Sequence, residues 1–247
     1  MAVHFNDYMV SICENLESNK GSETAVEALL YAFGNLKERC LQVDNPEMKA
    51  RMQHILMNFA YVCLDPPQDG VKESVERVML RARACWVYGK FGSFEFENDQ
   101  THQQAATDRL IQHLYHEHMA VRVEAALALA EMLEHTVVQD LCRPGLGNIL
   151  KVFLKIMDDI DFEELTGALK KIVEVFEEEI APYAISLCQK LSTAYIRCIN
   201  AKGDNKEDVD CEIGLTADGL FSAIRKVLAS ISGKFPELYP QLEEILE

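Results

Sequence analysis

Apolar residues recur along almost the whole chain at i, i+3, i+4 and i+7, and nowhere do they alternate convincingly with a period of two. Val26, Leu29, Leu30 and Phe33 set the pattern, and Met52, Ile55, Leu56 and Phe59 repeat it. Leu165, Leu169, Ile172, Val173 and Phe176 carry it on, followed by Ala184, Leu187, Cys188 and Leu191, and by Leu220, Ile224, Val227, Leu228 and Ile231. A 3.6-residue period buries one stripe of a helix and leaves the opposite face to solvent. Such a chain folds as an all-α protein. The punctuation agrees. Thr24 with Glu27 reads as a capping box, Asn45-Pro46 as a cap followed by Pro at the first helical position, Asp161 with Glu164 as a second cap pair, and Pro182 as part of a first turn. Breaks are expected at Leu64–Gly70, Phe91–Asn98, Arg143–Gly147 and Ala201–Asp210. About ten to twelve helices joined by short links follow, which pack as antiparallel hairpins.

The hairpins repeat. Leu80-Arg81-Ala82-Arg83-Ala84-Cys85-Trp86-Val87-Tyr88-Gly89 lies over Val121-Arg122-Val123-Glu124-Ala125-Ala126-Leu127-Ala128-Leu129-Ala130 at an offset of 121 − 80 = 41 residues. Each copy opens with Arg after an apolar residue, and Ala84/Ala125, Cys85/Ala126 and Gly89/Ala130 coincide as small residues. A further step of 41 lands on Phe162, at the start of the next amphipathic helix. HEAT and armadillo units repeat every ~40–47 residues, and small residues at fixed positions let stacked helices approach closely. The spacing favours a helical solenoid over an irregular bundle.

The same residues carry a family resemblance. Arg81 to Val87 followed by Val121 to Leu129 resembles the middle of an importin-β (karyopherin-β) superfamily receptor of the importin-seven and importin-eight type. Glu178-Glu179-Ile180-Ala181-Pro182-Tyr183-Ala184 and Leu187-Cys188-Gln189-Lys190-Leu191 resemble the helix pair that follows in that subgroup. The likeness is clearest over 79–233 and weaker over 1–70. It implies one HEAT-repeat right-handed α-solenoid segment over 1–247, built from about five or six helical hairpins, and a central piece of a longer receptor. It further implies protein cargo carried between cytoplasm and nucleus, nuclear pore proteins with Phe-Gly repeats as partners, and control of the full-length receptor by the Ran GTPase. No Ran-contacting residue carries over. If the chain is a piece cut from an array, Phe235, Leu238 and Leu242 are expected to expose an apolar face.

Charge narrows the partners. Against 24 Lys+Arg stand 40 Asp+Glu, a formal net charge of −16. That excess opposes phosphate backbones and anionic lipid, so neither direct nucleic-acid nor membrane binding is expected, and basic partners are favoured. Apolar stretches are too short and too broken by charge to span a bilayer, and the first residues do not form an export leader. Cys13, Cys40, Cys63, Cys85, Cys142, Cys188, Cys198 and Cys211 contain no C-x-x-C pair and sit mostly in apolar surroundings, so they read as buried thiols.

Chemistry-bearing clusters are few. His113-x-x-His116-x-His118 lacks a Cys to complete a zinc set and reads as exposed histidines at a hairpin turn. Asp158-Asp159-Ile160-Asp161-Phe162-Glu163-Glu164 has Phe162 where a D-D-x-x-D metal motif needs Asp, and lacks the glycine and ligand spacing of a calcium loop. Acids there suit the start of a helix. Trp86 and Tyr88 read as core or hairpin-interface residues, and Gly145-Leu146-Gly147 lacks the Lys-Ser/Thr of a phosphate loop. No nucleophile–base pair stands out, so no enzyme activity, catalytic residue, cofactor or metal is expected. What remains is binding. Asp158, Asp159, Asp161, Glu163, Glu164, Glu174, Glu177 and Glu178 are the candidate cargo-binding residues, an acidic rim for a basic protein. The alternative is a HEAT-repeat scaffold that holds complexes together without transport.

Overall fold

The computed structural model describes residues 2–42, 45–66, 72–96, 100–160, 162–201 and 210–246, apart from the side chains of 2–6, 100, 163, 198, 201, 210–216 and 246. Two compact units, Met1–Val152 and Phe153–Glu247, divide the chain.

The first unit opens with α1 (Ala2–Ser18), α2 (Glu23–Gly34) and the short α3 (Lys37–Gln42). Next comes α4 (Pro46–Ile55), which passes through a π-helical turn, Leu56–Ala60, into α5 (Tyr61–Cys63). Then follow α6 (Val75–Lys90), α7 (Gln100–His113), α8 (Met119–Met132) and α9 (Thr136–Cys142). After a 3-10 turn at Arg143–Gly145 begins α10 (Leu146–Asp159), which contains the boundary between the units. Helix α2 packs on α6 and α6 on α8, forming one layer, while α1 packs on α4 and α7 on α9 in the other. The pairs α1/α2 and α7/α8 join the layers as hairpins.

The second unit follows the same rule with α11 (Glu163–Val175), α12 (Ala184–Ala201), α13 (Asp210–Ile231) and α14 (Tyr239–Leu246). Here α11 packs on α13, α12 on α14, and α12 against α13. Helices α6, α8, α11 and α13 start at 75, 119, 163 and 210, so the spacings are 119 − 75 = 44, 163 − 119 = 44 and 210 − 163 = 47 residues. These spacings of 44 to 47 residues lie close to the 41-residue offset read from the sequence. The chain is an all-α protein of the HEAT-repeat α-solenoid class, and the described residues form no strand.

Small residues sit where helices of one layer meet. Ala84, Cys85, Ala125 and Ala126 are fully buried. A Cβ added to Gly89 on α6 would lie 3.2 Å from the Ala128 backbone on α8, and one on Gly92 would lie 2.9 Å from the Glu131 backbone. At the α2–α6 contact the Trp86 ring occupies the space beside Gly34. The duplicated arginines also share a job. Arg122 on α8 donates to the His116 carbonyl just beyond α7 at 3.2 Å, and Arg81 on α6 donates to the Cys63 carbonyl at the end of α5 at 3.2 Å. Arg81 thus serves the end of α5, and Arg122 serves the link between α7 and α8.

Several local expectations change. The cap of α2 is Ser22, whose hydroxyl accepts the Ala25 N–H at 3.3 Å, so Thr24 lies already inside the helix. Asn45 caps α4 as expected, with Pro46 at its first position. Phe162 occupies the cap position of α11, and Asp161 lies outside the described residues. The expected break at Arg143–Gly147 is only a 3-10 turn between α9 and α10, because Pro144 falls where a first-turn proline needs no N–H. Leu242 is buried at 3% exposure while Phe235 and Leu238 are half-buried, since α14 turns its apolar stripe onto α12.

Candidate functional site

Helix α11 separates the acidic residues into two groups. Its apolar stripe, Leu165, Ala168, Leu169, Ile172 and Val173, is buried, while Glu164, Gly167 and Glu174 are exposed. Asp158 and Asp159 end α10, and Glu164 lies in the first turn of α11; all three are exposed. Glu174 sits near the other end of α11, with Glu177 and Glu178 in the turn that follows, and these three are exposed as well. Ten residues separate Glu164 from Glu174, about 15 Å along a helix axis. Asp161 and the side chain of Glu163 lie outside the described residues. Asp158 pairs with the Lys190 ammonium on α12, and Glu174 Oε1 with Lys226 Nζ on α13 at 3.8 Å. Among the described residues no group of three or more His, Cys, Asp and Glu is placed to hold a metal ion.

Two of the three clustered histidines are buried, contrary to the sequence reading, while the His118 side chain is 43% exposed. His113 and His116 are 3% and 8% exposed. His113 Nε2 donates to the Leu64 carbonyl at 2.9 Å, and burial pushes its pKa down to about 4. His116 Nε2 lies 2.9 Å from Glu73 Oε2, while its Nδ1 accepts the His118 N–H at 3.1 Å. Glu73 also pairs with the guanidinium of Arg81, which is 1% exposed and donates to the carbonyls of Cys63 and Asp65. Burial alone would raise the Glu73 carboxyl, but Arg81 and His116 together hold it below its ordinary range. Arg109 adds donations to the Leu64 carbonyl at 3.2 Å and to Asp65 Oδ1 at 2.6 Å. Helices α6 and α7 thus clamp the end of α5. The signal in the sequence was Arg81 itself, an arginine in the buried stripe that runs from Val78 through Cys85 to Tyr88.

Around Trp86 the side chains are preorganised. Its ring stacks on Tyr31 at 5.6 Å, and the Arg83 guanidinium covers both rings at 4.8 and 4.5 Å. Arg83 Nε donates to Glu27 at 2.7 Å. Tyr88 is buried, its hydroxyl donating to the Leu56 carbonyl and meeting His102 Nε2 at 3.0 Å. Cys40, Cys63, Cys85, Cys142 and Cys188 are buried thiols as expected, whereas Cys13 is only half-buried; burial raises the five buried ones, Cys63 and Cys188 to about 11. No catalytic constellation assembles from these groups among the described residues. The candidate residues that remain exposed are the acids of the second unit.

No family model and no solved structure matched the chain significantly. Curated proteins did. An importin beta-like SAD2 homolog of Arabidopsis thaliana is 33% identical over 218 residues, 88% of this chain and 20% of that protein. A probable importin-7 homolog of Dictyostelium discoideum is 27% identical over 171 residues, 68% of this chain. Importin-8 of Mus musculus is 26% identical over 250 residues, covering 90% of this chain and 24% of the relative. The chain spans about a fifth of the length of these relatives. Similarity over most of the chain, in proteins that share one name class, joins the HEAT-type hairpins and the repeated Arg81 and Arg122 motifs: the chain belongs to the importin-β superfamily.

Proposed function

We propose that the chain is a HEAT-repeat segment of a nuclear transport receptor, read as one stretch over 1–247, and that its second unit contributes an acidic surface for basic protein cargo. The observation that carries this reading is the similarity to importins over 88% of the chain, in company with exposed acids at both ends of α11. Residues 153–247 hold 10 Lys+Arg and 19 Asp+Glu, a net of 10 − 19 = −9. Such a surface draws in Lys/Arg-rich segments and aligns them, with an association that weakens as salt rises. Asp158, Asp159, Asp161, Glu163, Glu164, Glu174, Glu177 and Glu178 are the carboxylates assigned to it, and no bond chemistry is involved. In the whole receptor the partners are cargo, Phe-Gly pore proteins and Ran, with shuttling between cytoplasm and nucleus.

The test is a titration of a Lys/Arg-rich peptide into the chain and into its E174Q/E177Q/E178Q variant at two salt concentrations. Several-fold weaker binding by the variant at low salt, converging at high salt, is the expected outcome. Equal affinities would remove the cargo role from these residues. Absence of binding to immobilised Phe-Gly repeats by the full-length receptor would favour a static scaffold instead.

A further inference from the structure

We propose that Lys190 and Lys226 regulate this acidic surface as internal counter-ions, occupying carboxylates that a basic partner must take over. The inference rests on the cargo reading and concerns what sets its strength. Asp158, at the end of α10, pairs with Lys190 from α12, and Glu174, near the end of α11, pairs with Lys226 from α13. The partners are 190 − 158 = 32 and 226 − 174 = 52 residues apart, so the fold brings them together rather than the spacing of a single helix. Both pairs are open to solvent: the lysine side chains are 28% and 33% exposed and the carboxylates 60% and 36%.

Open pairs of this kind contribute little to folding. The helices beneath them are held by apolar contacts, with Leu165, Leu169 and Ile172 of α11 and Leu220, Ile224 and Val227 of α13 all buried. Glu177 and Glu178 are exposed and make no such pair among the described residues. A guanidinium or ammonium arriving on a ligand therefore meets two kinds of carboxylate: ready ones, and ones it must win from Lys190 or Lys226. Arginine has the advantage, since its fork engages both oxygens of a carboxylate while a lysine engages as a point charge. Neutralising either lysine converts an occupied carboxylate into a ready one.

The experiment titrates a fluorescent Lys/Arg-rich peptide into the full chain at low and at moderate salt, comparing wild type with K190Q, K226Q, K190R/K226R, K234Q and E174Q/E177Q/E178Q. Lys234 is exposed in the same unit and pairs with no acid among the described residues, so K234Q makes the same change of net charge without releasing a carboxylate. Circular dichroism confirms that each variant is helical, and the two single lysine variants stand independently should one fail to fold. Expected are about 2- to 5-fold tighter binding for K190Q and K226Q at low salt, binding no tighter than wild type for K190R/K226R, and a change below about twofold for K234Q. If K190Q and K226Q bind no tighter than wild type while the glutamate variant binds more weakly, the counter-ion role is overturned and the cargo surface stands. Equal tightening by K234Q, or by K190R/K226R, also overturns it, because the effect then does not come from releasing those two acids. If wild type and the glutamate variant bind alike, the cargo reading itself falls and takes this inference with it.

Discussion

The first unit keeps Arg81, His102, His113 and His116 in its interior, whereas the buried polar residues described in the second are Ser192 and Ser230. Their net charges run the other way: −9 falls on residues 153–247 and −16 − (−9) = −7 on the longer 1–152. In the first unit, ionic groups hold helix ends together, so altering them should disturb the fold. In the second, the core is apolar and the charges lie outside, so altering them should disturb association and leave the fold alone. A charge count of the whole chain hides this division.

The comparison breaks most readily at Arg81. Replacing it with Ala leaves Glu73 buried without its main partner and uncovers the carbonyls at the end of α5. Removing one member of a buried pair typically costs about 3–5 kcal/mol. A loss of that order in urea unfolding is expected, and a change below about 1 kcal/mol would show that the clamp is not a stabilising element.

Acid should sharpen the contrast next. His113 is neutral in the fold, its pKa pushed by burial to about 4 against an ordinary 6.5. A depressed histidine contributes stability that is whole above pH 6.5, declines as the unfolded form takes up protons below that, and levels off beneath about pH 4. Between pH 7 and 5 the loss should be about 2 kcal/mol. H113Q, which retains a donor toward Leu64, should flatten that dependence. Parallel pH profiles for the two forms would show that His113 is not the responsible group.

The smallest effect belongs to the second unit. E174Q/E177Q/E178Q should shift unfolding by no more than about 0.5 kcal/mol, because all three acids are exposed and the Glu174–Lys226 pair is open to solvent. A loss of several kcal/mol would mean that these acids hold the fold, and the division between the units would disappear.

Much of the architecture was legible because helical period and repeat spacing are properties of residues near one another in the chain. The stripe from Leu165 to Phe176 is buried at all five positions singled out, and the 41-residue offset between Arg81 and Arg122 matches the stacking of α6 on α8. The histidines failed because their environment is set at a distance. His113 reaches Leu64, 49 residues away, and His116 reaches Glu73, 43 residues away. Period alone gave no reason to bury them. The pairing of Asp158 with Lys190 and of Glu174 with Lys226 was hidden for the same reason: an acidic run looks equally unpaired until another helix is laid beside it.

The clamp at the end of α5 also limits where the chain can be severed. Cys63, Leu64 and Asp65 receive hydrogen bonds from Arg81, Arg109 and His113. A cut between 66 and 80 would therefore place the carbonyls on one piece and their donors on the other, stripping Arg81 of its acceptors at Cys63 and Asp65. Stacked repeats invite trimming at any linker, since each helix pair touches mainly its neighbours. Here the linker before α6 is the wrong place to trim, because the smallest autonomous piece that contains α6 must also contain α5 and α7.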